Sequence, residues 1–221
     1  LSRLSVFVCD NHSELDLLIA VHQLRYRVFK SRLDWEVAVS GDLEIDHYDI
    51  YNPTTLALID GERRLIGCAR ILPTMGPNML ADTFAILLAG QPAPRDPAIG
   101  ECSRFCIDTD LAAAMGDCGL RLATHTLVVG IAEWSLAQGL TELAAVTDLT
   151  IERILRRAGC RVTRLGPPMP IGKTAAVACS IEISEHSVRE MRAAGGLGCE
   201  PVLVNVANTI NQPVAPARGR A

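Results

Sequence analysis

A mixed α/β domain, with a central sheet and helices on both faces, is the fold class the sequence predicts. Three observations carry it. Short apolar runs bounded by turn residues alternate with longer segments of helical periodicity. Asp60-Gly61 separates two of the apolar runs and marks a tight reversal. Of the 221 residues, 49% are apolar and 21% charged, a globular balance with enough chain for one compact core.

The elements follow in order. Residues 5–9 read as a first strand. Asn11 or Ser13 can cap the next helix, which runs to about Lys30 with Leu15, Leu18, Ile19 and His22 as its inward stripe. Residues 55–59 and 65–72 form an antiparallel hairpin about Asp60-Gly61. After a loop over 73–78 comes a helix over 79–89, then a proline-rich loop through Pro97. Residues 99–108 are a strand and 119–138 a long apolar helix. Residues 142–147 are a buried strand. Asp148 caps a helix over 149–158 that Gly159 stops. The last strands are 161–165 and 175–183. The expected organisation is a single domain over 1–211 and an unstructured tail over 212–221.

Bulk properties narrow the function. A net charge of −4 argues against wholesale nucleic-acid binding. No apolar stretch reaches the ~18 residues needed to cross a bilayer. Leu1-Ser2-Arg3 carries no signal-peptide pattern, although the first residue is not Met. A cytoplasmic protein is expected, a monomer or weak dimer. No two of the eight cysteines have the two-residue spacing of a zinc knuckle. Cys68, Cys102, Cys106, Cys160 and Cys179 sit in apolar elements, so reduced, mostly buried thiols are expected.

The informative residues are charges where the pattern calls for apolar side chains. Arg25 lies seven residues after Leu18 and four before Phe29, on one helix face. It either snorkels, pairs with a carboxylate, or points into a cleft. The acidic stretch 41–49 contains Asp46 and Asp49, three apart. They can bind a cationic ligand, pair with Arg25 and Arg70, or form a solvated loop. No His joins them at a ligand spacing, so no metal is expected. Arg70, Glu101 and Arg104 interrupt otherwise apolar strands, which is unfavourable unless each is paired or faces a ligand. Glu101 and Arg104 point to opposite faces of an ideal strand. One site can use both only if the strand is bulged, strongly twisted or ends there. Arg153, Arg156 and Arg157 make a basic patch on one helix, suited to an acidic or phosphorylated partner or simply solvated.

Together these residues resemble the acyl-homoserine-lactone synthases, the autoinducer synthases of bacterial quorum sensing. Nine positions match that family's pattern in order: Arg25, Phe29, Trp35, Asp46, Asp49, Arg70, Phe84, Glu101 and Arg104. The last two stand in the phrase Glu-Cys-Ser-Arg-Phe-Cys-Ile-Asp, and the likeness covers roughly residues 20 to 180. The resemblance implies a fold similar to the GCN5-related N-acetyltransferases. The N-terminal third would close over S-adenosylmethionine, and the C-terminal half would hold the acyl chain. S-adenosylmethionine would be a consumed substrate, with no cofactor.

The resemblance also implies roles. The substrate amine must lose a proton before it attacks a thioester carbonyl. Glu101 is the candidate base and Asp46 its rival. Arg70 and Arg104 would maintain charge pairing, help hold the substrate carboxylate or order the acidic loop. Asp46 and Asp49 suit the positive end of the substrate, and Phe29 and Trp35 can pack on its adenine or sulfonium. Backbone N–H groups from Ser103 to Phe105 would serve the oxyanion. Ala145 and Thr147 fall in the acyl pocket. Relatives making 3-oxo products often carry Thr where this chain has Ala145, so an unsubstituted or unusual acyl chain is expected. Acyl carrier protein docking on Arg153 and Arg157, or acyl-coenzyme A, would supply the acyl group. Gly116-Asp117-Cys118-Gly119 only partly matches the glycine loop by which acetyltransferases grip the coenzyme pyrophosphate.

Overall fold

The computed structural model describes residues 4–9 and 15–204. The cap candidates Asn11 and Ser13 and the tail from Gln212 lie outside the described residues. In chain order the elements are β1 (Ser5–Cys9), α1 (Leu15–Arg25) running into a π-helix (Tyr26–Arg32), β2 (Val39–Ser40) and β3 (Leu43–Glu44). A 3-10 helix (His47–Tyr51), β4 (Thr54–Ile59) and β5 (Leu65–Pro73) follow. Next come α2 (Met79–Asp82), a second 3-10 helix (Ala85–Leu88), β6 (Ile99–Ile107), α3 (Thr109–Ala114) and α4 (Gly119–Ala137). The chain ends with β7 (Glu142–Asp148), α5 (Leu149–Arg157), β8 (Val162–Arg164), β9 (Met169–Ile171), β10 (Thr174–Glu182), α6 (Glu185–Gly195) and β11 (Leu203–Val204). The chain forms two compact units. One holds the described residues up to Arg70, Arg104–Gly130 and those from Pro201; the other holds Ile71–Ser103 and Ile131–Glu200.

In the first unit β1 pairs in parallel with β11 and antiparallel with β4, from Ser5↔Ile59 to Cys9↔Thr55. β4 neighbours β5, and β5 neighbours β6. The reversal between β4 and β5 is closed by Asp60 N–H donating to the Arg64 carbonyl at 3.1 Å. Its left-handed residue is Arg63, with φ +61°, and not Gly61. The buried Asp60 carboxylate makes this possible, accepting from the Glu62 and Arg64 amides and the Arg64 guanidinium.

Helix α1 buries Leu17, Val21, Leu24 and Arg25, and the π-helix adds Val28 and Phe29. The apolar ones pack on Ala57, Ile59, Leu65, Cys68 and Cys106. The inward stripe is therefore displaced from the expected one; Leu15 and Ile19 are exposed. Three consecutive apolar residues, Leu17 to Ile19, offer two stripes of equal hydrophobicity, and helical periodicity alone does not choose between them. The π-helix widens the turn after Arg25, as the Leu33 amide bonding back five residues to Val28 shows.

In the second unit the first half of β6 runs parallel to β7, from Ile99↔Glu142 to Cys102↔Ala145. β10 is antiparallel to β7, β8 and β9. Paired neighbours share a face. Ala144, Val146, Ala176 and Ala178 therefore lie on one side, where they cluster with Leu80, Leu87, Leu88 and Phe84. Ala145, Thr147, Val177 and Cys179 lie on the other. The helix expected over 79–89 is two short pieces broken at Thr83-Phe84. Asn78 caps the first through the Ala81 amide at 3.0 Å. Two helices arise that the apolar pattern did not announce. Asp108 caps α3 instead of ending a strand, and Ser184 caps α6 with a capping box.

All eight cysteines are free thiols: Cys9, Cys68, Cys106, Cys160 and Cys179 buried, Cys102 half-buried, Cys118 and Cys199 exposed. No helix among the described residues is long and apolar enough to cross a membrane.

Candidate active site

Three arginines and three carboxylates of the first unit close into a ring in which the charges alternate. Arg25 is 2% exposed, at the point where α1 gives way to the π-helix. Its Nε donates to Glu44. Its two terminal nitrogens each donate to one oxygen of Asp49 at 2.9 Å, the bidentate geometry a guanidinium is built for. Arg70 Nη1 bridges Asp49 at 2.9 Å and Asp46 at 2.5 Å. Arg104 Nη2 donates to Asp46 at 2.6 Å and to Glu44 at 2.9 Å, with its Nε 3.1 Å from the same Glu44 oxygen. In these hydrogen bonds each guanidinium donates to two carboxylates and each carboxylate accepts from two guanidiniums, and Arg25 Nη2 also lies 4.0 Å from Asp46.

Local backbone chemistry puts the acids there. Asp46 caps the 3-10 helix by accepting from the Tyr48 amide at 2.9 Å, and Asp49 reaches back to the Asp46 amide at 2.8 Å. This capping box orients both carboxylates independently of the arginines. Arg104 has φ +54° inside β6, a left-handed residue where a strand requires an extended one. The strand is distorted at this residue, and a non-glycine in that conformation stores about 1–3 kcal/mol. Burial pushes the Asp49 carboxyl up, but the hydrogen bonds and charge of Arg25, with Arg70, overcome it and hold the group well below the usual carboxylate range.

Aromatic rings flank the ring of charges. The Arg104 guanidinium lies over Phe29, 5.5 Å from its centroid. Phe29 is stacked on Trp35 with centroids 5.2 Å apart and planes 23° from parallel. Arg70 lies over Tyr48 at 5.7 Å. Phe29 is buried, whereas Trp35 is 41% exposed and can present a ring face to a ligand.

The structure therefore brings together Arg25, Phe29, Trp35, Asp46, Asp49, Arg70 and Arg104. Sequence reasoning passed over Glu44, whose side chain is wholly buried. Its one signal was Leu43-Glu44-Ile45, an acid between two large apolar residues. The acidic run around it hid that signal. Phe105 is half-buried in the first unit.

The remaining candidates belong to the second unit. Glu101 is 1% exposed and accepts from the Met79 amide at 3.2 Å and the Leu80 amide at 2.8 Å. The two backbone donors fix the orientation of this buried carboxylate. Ser103 is half-buried. Phe84 packs on the apolar cluster of Leu80, Leu87 and Ala144. Ala145 is buried and Thr147 half-buried, two residues apart on one face of β7. Arg153 and Arg157 are exposed on α5 and make no ion pair among the described residues. Arg156 is instead drawn into an ion pair with the buried Glu152, which Arg164 shares.

The fold is of the kind seen in the GCN5-related N-acetyltransferases. A solved Lactobacillus plantarum protein named for N-acetyltransferase activity matches with a TM-score of 0.54, covering 82% of this chain and 99% of that one; at 16% identity the likeness is one of fold alone. Within that class the chain belongs to the autoinducer synthase family, whose model matches residues 10–191. A probable acyl-homoserine-lactone synthase of Sinorhizobium fredii is 44% identical over 184 residues, 83% of this chain and 88% of that protein. A solved coenzyme-A-dependent acyl-homoserine lactone synthase holding SAM and isopentyl-CoA has a TM-score of 0.80 at 25% identity, covering 91% of this chain and 93% of that one.

Proposed function

We propose that this chain transfers an acyl group from a thioester to the amine of S-adenosylmethionine and closes the product to an N-acyl-homoserine lactone, releasing methylthioadenosine. One observation carries the reading: the closed ring of Arg25, Asp49, Arg70, Asp46, Arg104 and Glu44, in a member of the autoinducer synthase family. Six charges held at fixed positions suit a zwitterionic, sulfonium-bearing substrate, because the positioned groups do not reorganise when it binds.

Glu101 takes the proton from the amine. Asp46 is the weaker candidate, since arginine donors and a backbone amide already hold both its oxygens. The amine attacks the thioester carbonyl, backbone N–H groups from Ser103 to Phe105 meet the oxyanion, and the thiol departs with the proton. The substrate carboxylate then displaces the sulfonium from its own γ carbon, so methylthioadenosine leaves as the lactone closes. Phe29 and Trp35 pack on the adenine or sulfonium.

Ala145 and Thr147 line the acyl pocket, and the missing hydroxyl at Ala145 favours a chain without a 3-oxo group. Acyl-coenzyme A is the better-supported donor, given the relative solved with isopentyl-CoA. An acyl carrier protein would dock on Arg153 and Arg157. Incubation with S-adenosylmethionine and a panel of both thioester types, followed by mass spectrometry, should yield one methylthioadenosine per lactone. An N-acylated product without methylthioadenosine would show a different acyltransferase.

A further inference from the structure

Two buried thiols in the first unit have no part in the chemistry above. Cys68 on β5 and Cys106 on β6 are 1% and 4% exposed, and their sulfurs are 3.5 Å apart. The Asp108 amide donates to the Ile66 carbonyl at 2.8 Å. That bond and the thiol contact place the strands antiparallel, with Cys68 opposite Cys106. Directly opposed residues of such a pair have Cα atoms about 4.5–5.5 Å apart, inside the range a disulfide spans. Each cysteine stands two residues from a member of the charge ring: Cys68 from Arg70, Cys106 from Arg104.

We propose that Cys68 and Cys106 are an oxidation site, which a hydroperoxide converts to one intramolecular disulfide that clamps β5 to β6 beside Arg70 and Arg104 and slows the enzyme. One sulfur attacks the peroxide oxygen, becomes a sulfenic acid and releases water. The second sulfur attacks the first, the S–S bond forms, and the departing hydroxide takes the remaining thiol proton as a second water. Two electrons pass from the sulfurs to the peroxide.

The neighbouring Cys68 thiol and burial push the Cys106 thiol well above its ordinary range. Thiolate is therefore scarce, and the first step is slow. The second is intramolecular and fast. Such a pair answers sustained oxidation, not a brief pulse. Closing a 3.5 Å contact to a bond of about 2.05 Å turns two separate side chains into one cross-link with a fixed dihedral between the strands that carry Arg70 and Arg104.

The test uses the full chain with Cys118→Ser and Cys199→Ser, so that the exposed thiols do not compete. After hours in hydrogen peroxide, free thiols are blocked with N-ethylmaleimide and the unreduced digest is read by mass spectrometry. The expected result is a linked peptide joining Cys68 to Cys106, two hydrogens lighter than the two thiol peptides together. Synthase turnover should fall by about tenfold or more, since ~1 Å misplacements near a reaction are worth up to ~10²-fold, and dithiothreitol should restore it. Cys106→Ala should keep its basal turnover and lose no dithiothreitol-reversible part of it to peroxide. Both thiols still alkylatable after unfolding, or sulfinic acid at either cysteine without the cross-link, overturns the proposal. So does an equal reversible loss in Cys106→Ala. The cross-link is read without any activity, so its absence and a failure of the synthase reading are distinguishable.

Discussion

Glu44 is the residue on which the charge ring turns, because it joins Arg25 to Arg104 and is, of the ring's three acids, the one most fully shut off from water. Removing one member of a buried ion pair leaves an uncompensated charge, at about 3–5 kcal/mol. Glu44→Gln is therefore expected to lower the urea-unfolding free energy by an amount of that order. A loss below ~1 kcal/mol would mean that water or another acid replaces Glu44. Glu101 differs in what its loss does to turnover. Each of its oxygens accepts from one backbone amide, of Met79 or of Leu80, so the single oxygen of Gln can serve only one and leaves the other N–H facing an NH2 group. Glu101→Gln should lower the unfolding free energy by about 1–3 kcal/mol while turnover of the folded protein drops by ~10²-fold or more, the usual contribution of a general base. Asp46→Asn is expected to reduce both stability and turnover. Wild-type rates in Glu101→Gln would transfer the base role away from it.

At the scale of elements, Gly67 shows how closely β5 and β6 must approach. A Cβ built there would stand 2.8 Å from the Cys106 carbonyl oxygen and 2.6 Å from Ile107 Cδ1. The carbonyl is backbone and cannot swing aside, so Gly67→Ala should force the strands apart. The expected cost is about 1–3 kcal/mol, read as a lowered Tm, with turnover falling because Arg70 and Arg104 ride on the same two strands. A variant with unchanged Tm and turnover would show that the strands separate freely.

The elements also show what the sequence could disclose. Arg25, Arg70 and Arg104 were legible because a guanidinium in an apolar helix or strand is unfavourable without a partner. Glu44 was not, since in an acidic run one buried acid looks like its solvated neighbours. The left-handed backbone at Arg104 was not legible, since no glycine or turn residue marks it; the alternation called for a distortion only on condition that Arg104 and Glu101 serve one site. Nor was the widened turn after Arg25, since α and π pitch follow from packing rather than from residue type. Strands bounded by Asp-Gly or Pro were placed within a residue or two. The stripe of α1 was misplaced, because Leu17, Leu18 and Ile19 serve two faces equally well.

For the whole molecule, the charge ring makes stability depend on acidity in a definite direction. Asp49 is held well below the usual carboxylate range in the folded state, whereas in the unfolded chain it titrates near ~3.9. A group with a depressed folded pKa binds protons more readily when unfolded. Its contribution is therefore fully present above about pH 5 and is lost as the pH falls through the unfolded value toward the folded one. The unfolding midpoint in urea should fall steeply between about pH 5 and pH 2. Asp49→Asn starts lower but has no proton to gain at that position, so its midpoint should fall less over the same interval. Salt should leave the difference nearly intact, because Arg25 and Arg70 are buried and screening acts mainly on exposed charges. Parallel acid limbs for the two proteins would mean that Asp49 is not held by Arg25 and Arg70 in solution. The ring would then be open at that corner.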